Sequence, residues 1–143
     1  MPSSDEDKRT SSPLHEAFNA GDLDSIDEMF HPDWVHHSRP GLTLEILKRE
    51  VAEYRAAFPD LRWEDHDRIE DGDKVAMRFS AVGTHTGELM GIPPTGKKIV
   101  LSGMSMTRYK DGKIIESWEE VNALGMMIQM GALPEDSVPY VAR

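Results

Sequence analysis

The residues best suited to proton transfer fall around one hairpin. Asp111-Gly112 separates two apolar-rich runs, residues 99–109 and 114–122, and glycine takes the positive φ that tight strand reversals need. Which side chains share a face depends on the loop, because a shift of one residue turns a strand over. A two-residue loop sets Glu119 across from Met104. A three-residue loop of Lys110, Asp111 and Gly112 sets Glu119 across from Gly103, and Ser117 across from Ser105. Composition favours the three-residue loop: it gathers Gly103, Ser105, Thr107, Ser117 and Glu119 on a small polar face with room for a ligand. Val100, Met104, Met106, Ile114 and Trp118 then form an apolar face that must be covered. A lone carboxylate acts as a base or acid near neutral pH if its pocket raises its pKa. The enolate it creates needs a hydrogen-bond donor.

The histidines are the other chemistry-bearing group. His36 and His37 stand side by side in a short strand read from Trp34-Val35-His36-His37, so only one of them looks inward. His85, in a loop, reads either as a ligand contact or as a cap that hydrogen-bonds the loop itself. No His-x-x-x-His spacing or comparable ligand set is present, and no metal is expected. Met104, Met106, Met126, Met127 and Met130 suit an adaptable pocket, although methionine is first a filler of cores. Trp118 reads as a packing anchor.

The elements that must position these groups are legible in order. Ser12-Pro13 starts a helix with Leu14, Ala17 and Phe18 on its buried stripe, and Asp22 caps a second segment carrying Leu23, Ile26, Met29 and Phe30. Thr43 caps a clearly amphipathic helix with Leu44, Leu47, Val51, Tyr54 and Phe58 on one side, stopped by Pro59-Asp60. Strand signals follow on either side of residues 70–73, with Val75, Met77, Phe79 and Ala81 on one face. A Gly-Ile-Pro-Pro-Thr-Gly loop, residues 91–96, leads to the hairpin, and a Met-rich helix ends at Gly131. Helices gathered before antiparallel strands describe an α+β domain whose helices cover one face of a curved sheet.

Composition excludes several function classes. The chain has 143 residues, no cysteine and a formal charge of -10. That excludes disulfides, thiolate metal sites and a cysteine nucleophile, and it opposes binding to nucleic acid or an anionic membrane. No apolar run spans a bilayer, and the first residues lack the features of a signal peptide, so a cytoplasmic protein is expected. Residues 1–11 read as a disordered tail and 12–143 as a single domain.

These features together resemble the SnoaL-like polyketide cyclase family, of the cone-shaped fold shared with ketosteroid isomerase and nuclear transport factor relatives. The resemblance is carried by Asn19-Ala20-Gly21-Asp22-Leu23 with His31-Pro32-Asp33, by Phe58-Pro59-Asp60 and by His85-Thr86-Gly87 with the 91–96 loop. It continues in Arg108 before Asp111-Gly112-Lys113-Ile114, and in Glu116-Ser117-Trp118 followed by Gln129-Met130-Gly131. It implies a cone of N-terminal helices on a strongly curved antiparallel sheet. It also implies intramolecular aldol closure of a polyketide ester, with an acid on the last strand as general acid/base and neither metal nor organic cofactor. Glu119 takes the acid's position, where the family usually has Asp. The two facing positions, Gln and His in the cyclases, are Gly103 and Ser105 here. His36 matches a polar residue near the pocket, and Ser105, Ser117 and His36 become the candidate donors.

The resulting expectation is cofactor-free cyclase, isomerase or lyase chemistry on a small apolar, polyketide-like carbonyl compound. Glu119 and His36 are the catalytic residues. Ser105, Ser117, Gly103, Trp34, Tyr54 and His85 contact substrate, with Phe18 as a further wall. A hydrolase or hydroxylase of the same fold, or a non-catalytic binding domain, are the alternatives. The uncovered apolar face predicts a homodimer.

Overall fold

The computed structural model describes residues 12–137. The tail expected over residues 1–11 lies outside the described residues. Helix α1, Pro13–Ala20, begins where the sequence signals it: the Ser12 side chain accepts from the backbone N–H of His15, and Pro13 occupies the first turn. Gly21, at φ 71°, ends the helix in the left-handed region, where a Cβ is strained. The expected second helix is a 3₁₀ segment, Ser25–Met29, with Asp22 accepting from the Ser25 N–H at 3.3 Å.

Strand β1, Phe30–His36, is longer than expected and is irregular between Phe30 and Val35. Helix α2, Leu44–Ala57, is capped by Thr43, which accepts from Ile46 N–H at 3.2 Å. Strands β2, Arg62–Asp71, β3, Lys74–Thr84, β4, Lys98–Lys110, and β5, Lys113–Val121, follow, then helix α3, Ala123–Gln129. The five strands run in the order β1-β5-β4-β3-β2. Four of them are antiparallel neighbours, and β1 joins β5 as a parallel edge strand. The two edges do not pair, so the curled sheet stays open. This is the α+β arrangement that the element order predicted and the cone that the resemblance implied, except that β1 makes the otherwise antiparallel sheet mixed. No helix among the described residues is long and apolar enough to cross a membrane.

Two apolar clusters hold the helices on the sheet. Phe18, Ile26, Phe30, Val51 and Ile114 form one; Ala57, Phe58, Leu89, Ile99, Met126 and Met130 form the other. Each large apolar side chain so buried contributes about 1.5–3 kcal/mol. Val75, Met77, Phe79 and Ala81 are all buried on one face of β3, as their alternation predicted. Asn19 fixes α1 to the start of β2, donating to the Trp63 carbonyl at 3.0 Å and accepting from its N–H at 2.7 Å. The Arg55 guanidinium of α2 donates to the Phe18 carbonyl at 2.6 Å, tying the two helices together.

The hairpin between β4 and β5 departs from the expected three-residue loop. Lys110 pairs with Lys113, leaving a two-residue Asp111-Gly112 turn with φ of 54° and 75°, the positive pair of a type I′ reversal. The register then shifts between Arg108 and Tyr109: Tyr109 faces Ile114 while Arg108 faces Glu116, and Ile115 is the extra residue. A bulge of one residue exchanges the faces beyond it. Glu119 consequently faces Ser105, and Ser117 faces Thr107. The small polar face is as expected, but it is produced by a bulge rather than by the loop. Ile114, expected on the apolar outer face, instead sits in the core beside Phe18 and Phe30, because it precedes the bulge.

Candidate active site

Between the two helices and the inner face of the sheet lies a cavity of about 620 Å³, a size suited to a small organic ligand. Glu119, His36, Ser105, Ser117, Trp34, Tyr54 and Phe18 line it. His36 points inward and is buried, whereas its neighbour His37 turns outward, donates from Nε2 to the Glu116 carboxylate at 2.8 Å, and stacks on Trp118. Alternation along β1 enforces that choice.

Glu119 is held from two sides. Its position on β5 aims it at Ser105, and its backbone N–H donates to Ser38 Oγ at 2.9 Å. Its carboxylate has no protein hydrogen-bond partner among the described residues; it meets the cavity space while protein encloses it on its other sides. Desolvation therefore moves its pKa up, against the attraction of His15 and Arg39, with Glu120 and Glu50 adding repulsion. The His36 pKa moves down, chiefly through burial and then through Arg39 and His37, so the ring is held neutral. Trp34 Nε1 donates to Ser117 Oγ at 2.9 Å. That leaves the serine hydroxyl proton available to the cavity.

Two expected contacts lie elsewhere. Gly103 shares the inner face but leaves no ligand space: a Cβ there would stand 2.7 Å from Phe79 Cζ and 2.9 Å from Val121 Cγ1. The Phe79 ring fills the place. His85 is fully buried and outside the cavity, stacked on Phe58. Its Nδ1 accepts from Thr95 N–H at 3.3 Å and lies 3.0 Å from Thr95 Oγ1, while its backbone bonds both Lys97 and Gly96. It is the loop cap, the other of its two readings.

Arg39, Glu50 and His15 stand in the wall and were not among the expected contacts. Arg39 and Glu50 form a two-pronged ion pair at 2.5 and 2.6 Å where α2 meets the cavity. That pairing raises the Arg39 pKa and lowers that of Glu50. The third is His15, on α1, whose Nδ1 lies 2.5 Å from Asp65 Oδ1 on β2. Burial opposes the charge of Asp65, yet the His15 contact and the Ser12 N–H at 2.7 Å leave its pKa below the usual range. The signal was present: His15 stands three residues before Phe18 on the buried side of α1, and Asp65 stands two after Trp63 on β2. Among the described residues no three His, Asp or Glu side chains converge as a metal-binding group.

The comparisons agree with this geometry. The SnoaL-like polyketide cyclase family matches residues 9–130. The nogalonic acid methyl ester cyclase of Streptomyces nogalater is 30% identical over 124 residues, covering 80% of this chain and 90% of that protein. Among solved structures, AclR from Streptomyces galilaeus, a proposed hydroxylase, superposes with a TM-score of 0.80 at 32% identity, covering 96% of this chain and 87% of that one. IdmH from Streptomyces antibioticus, a proposed polyketide cyclase, gives a TM-score of 0.73 at 36% identity, with 82% and 93% covered. With an acid on the last strand facing a cavity in the matching fold, the chain belongs to the SnoaL-like polyketide cyclase family.

Proposed function

We propose that the protein closes a ring in a polyketide methyl ester by intramolecular aldol addition, with Glu119 as acid/base. The ionised carboxylate takes a proton from the carbon next to a carbonyl. The resulting enolate carbon attacks a second carbonyl of the same molecule: a C–C bond forms, the C=O π pair becomes an alkoxide, and a proton returns to that oxygen. Atoms and charge balance without a redox partner. The carrying observation is the desolvated Glu119 opposite Ser105 in the cavity, because a base with a raised pKa has more driving force for removing a carbon-bound proton.

Ser105 and the free proton of Ser117 are hydrogen-bond donors to substrate oxygens in this reading, and neutral His36 is a second proton-carrying group on the same wall. Trp34 and Tyr54 hold the flat apolar part of the substrate. The protein works in the cytoplasm as a homodimer, residues 12–143 forming one domain. Support for the dimer is the outer face of β4, where Val100, Met104 and Met106 are exposed. The test is incubation with nogalonic acid methyl ester, the substrate class named for a relative. A product of unchanged mass with one more ring is expected, and Glu119→Gln lowers turnover by roughly 10²- to 10⁴-fold with the fold intact. No ring closure, a product heavier by one oxygen, or a fully active Glu119→Gln variant would overturn the reading.

A further inference from the structure

The acid/base reading leaves one requirement unmet on β4. On the inner face of β4, the Phe79 ring occupies the space at Gly103, and Ser105 is the residue that faces Glu119. The enolate needs a strong donor, and a serine hydroxyl is a modest one. Phe79, however, does more than fill: its ring lies 4.9 Å from that of His15 at a tilt of 60°, while Trp63 stacks on the His15 ring with centroids 6.3 Å apart.

His15 is thus held by its surroundings in one orientation. Its Nδ1 is 2.5 Å from Asp65 Oδ1, and Asp65 Oδ2 is occupied by the Ser12 N–H at 2.7 Å. Both side chains of the pair are nearly buried, at 8% and 6% exposure. A carboxylate only accepts, so Nδ1 carries a proton in either charge state of the ring. The remaining nitrogen, Nε2, has no protein partner among the described residues, and His15 lines the cavity. His15 also acts electrostatically on Glu119. A ring whose far nitrogen is fixed by a buried carboxylate and whose near nitrogen meets substrate space is arranged as a proton-transfer group.

We infer that His15, oriented by Asp65, is a further catalytic residue that binds the substrate's reacting oxygen through Nε2, with Asp65 as its positioning residue. The inference rests on the aldol reading above. The step requires Glu119 ionised and the His15 ring protonated on both nitrogens. Glu119 takes the carbon-bound proton, and Nε2–H donates to the enolate oxygen. When the C–C bond forms, Nε2 gives its proton to the new alkoxide, and the proton on Glu119 returns to His15 through a cavity water. One proton leaves carbon and one arrives on oxygen, and the enzyme is restored. The dyad on α1 and β2 therefore replaces the donors absent from β4, from the opposite wall.

The test uses the full chain and nogalonic acid methyl ester. His15→Gln is expected to lower kcat by roughly 10²- to 10⁴-fold with KM changed only a few fold. Asp65→Asn is expected to lower it less, and the double variant to be no slower than His15→Gln, because Asp65 acts through His15. A His15→Gln variant with the parent's kcat, or a double variant whose losses multiply, overturns the inference, while a slow Glu119→Gln variant in the same assay keeps the aldol reading standing. Imidazole ¹⁵N NMR of the parent gives a readout without turnover. A protonated Nδ1 that is lost in Asp65→Asn, and an Nε2 resonance displaced by the planar phenolic ketone 1-hydroxyanthraquinone, are expected. A neutral ring protonated on Nε2, or an Nε2 resonance unmoved by that probe, overturns the inference whatever the ester assay shows.

Discussion

Ser105 and Glu119 are directly paired across β4 and β5 although the two-residue turn that joins these strands would, continued regularly, set Glu119 against Met104. One inserted residue, Ile115, makes the difference, and the acid's presence in the cavity depends on it. Deleting Trp118, beyond the bulge, should set Glu119 opposite Met106 and so turn it to the outer face. Activity on nogalonic acid methyl ester should fall at least about 10²-fold, the scale of losing a general base. Circular dichroism should still report the strands; a deletion variant with parental kcat would remove the register of β5, and with it Glu119, from the mechanism.

The acid should also set the pH profile. Catalysis needs ionised Glu119, and burial raises its pKa above the ordinary 4.5. The acid limb of kcat/KM is therefore expected above the usual carboxylate range, falling as pH drops. Stability runs the other way. A carboxyl whose pKa is higher folded than unfolded favours the fold below the unfolded value, and that contribution is lost as pH rises through the folded one. Glu119→Gln removes the loss. Its stability relative to the parent should grow with pH across that interval and then level off. Urea melts of both proteins across pH check the sign; a gain that shrinks with rising pH would contradict it.

At Gly103, a side chain and Phe79 exclude each other. Its missing Cβ is 2.7 Å from Phe79 Cζ and 3.1 Å from the Glu120 carbonyl oxygen, with β5 backbone unable to yield. Gly103→Gln should cost about 1–3 kcal/mol, as overpacked core sites do. Pairing it with Phe79→Ala should recover part of that loss, so that the two changes are not additive. Thermal melts of the single and double variants measure the coupling.

The outer face of the hairpin offers the dimer test. Met104 is 61% exposed between its cross-strand partners Arg78 and Glu120, and Trp118 pairs with Met106 two residues along β4. If two copies meet there, Met104→Lys puts a charge into each half of the interface and shifts the protein to monomer by light scattering at micromolar concentration, with the melting temperature of the monomer unit little changed. A parent that already scatters as a monomer would contradict the dimer.

The sequence by itself determined the local structure, because local signals act over a few residues. Ser12-Pro13, Thr43 and Gly21 mark helix ends through groups that satisfy orphan backbone donors and acceptors; the alternation of Val75, Met77, Phe79 and Ala81 marks a half-buried strand; and the histidine pair could send only one ring inward. The polar face with Glu119, Ser105 and Ser117 was likewise legible from composition. Its route was not, since a type I′ turn followed by a bulge leaves the same residue types in the same order as a three-residue loop. Only the tertiary structure decided the rest. Gly103 looks like open space until Phe79, from another strand, enters it, and His85 looks like a ligand until Thr95 and Phe58 close around it. His15 and Asp65 are 50 residues apart; nothing local marks them as a pair, and packing of α1 against β2 through Asn19 and Trp63 is what brings their side chains together.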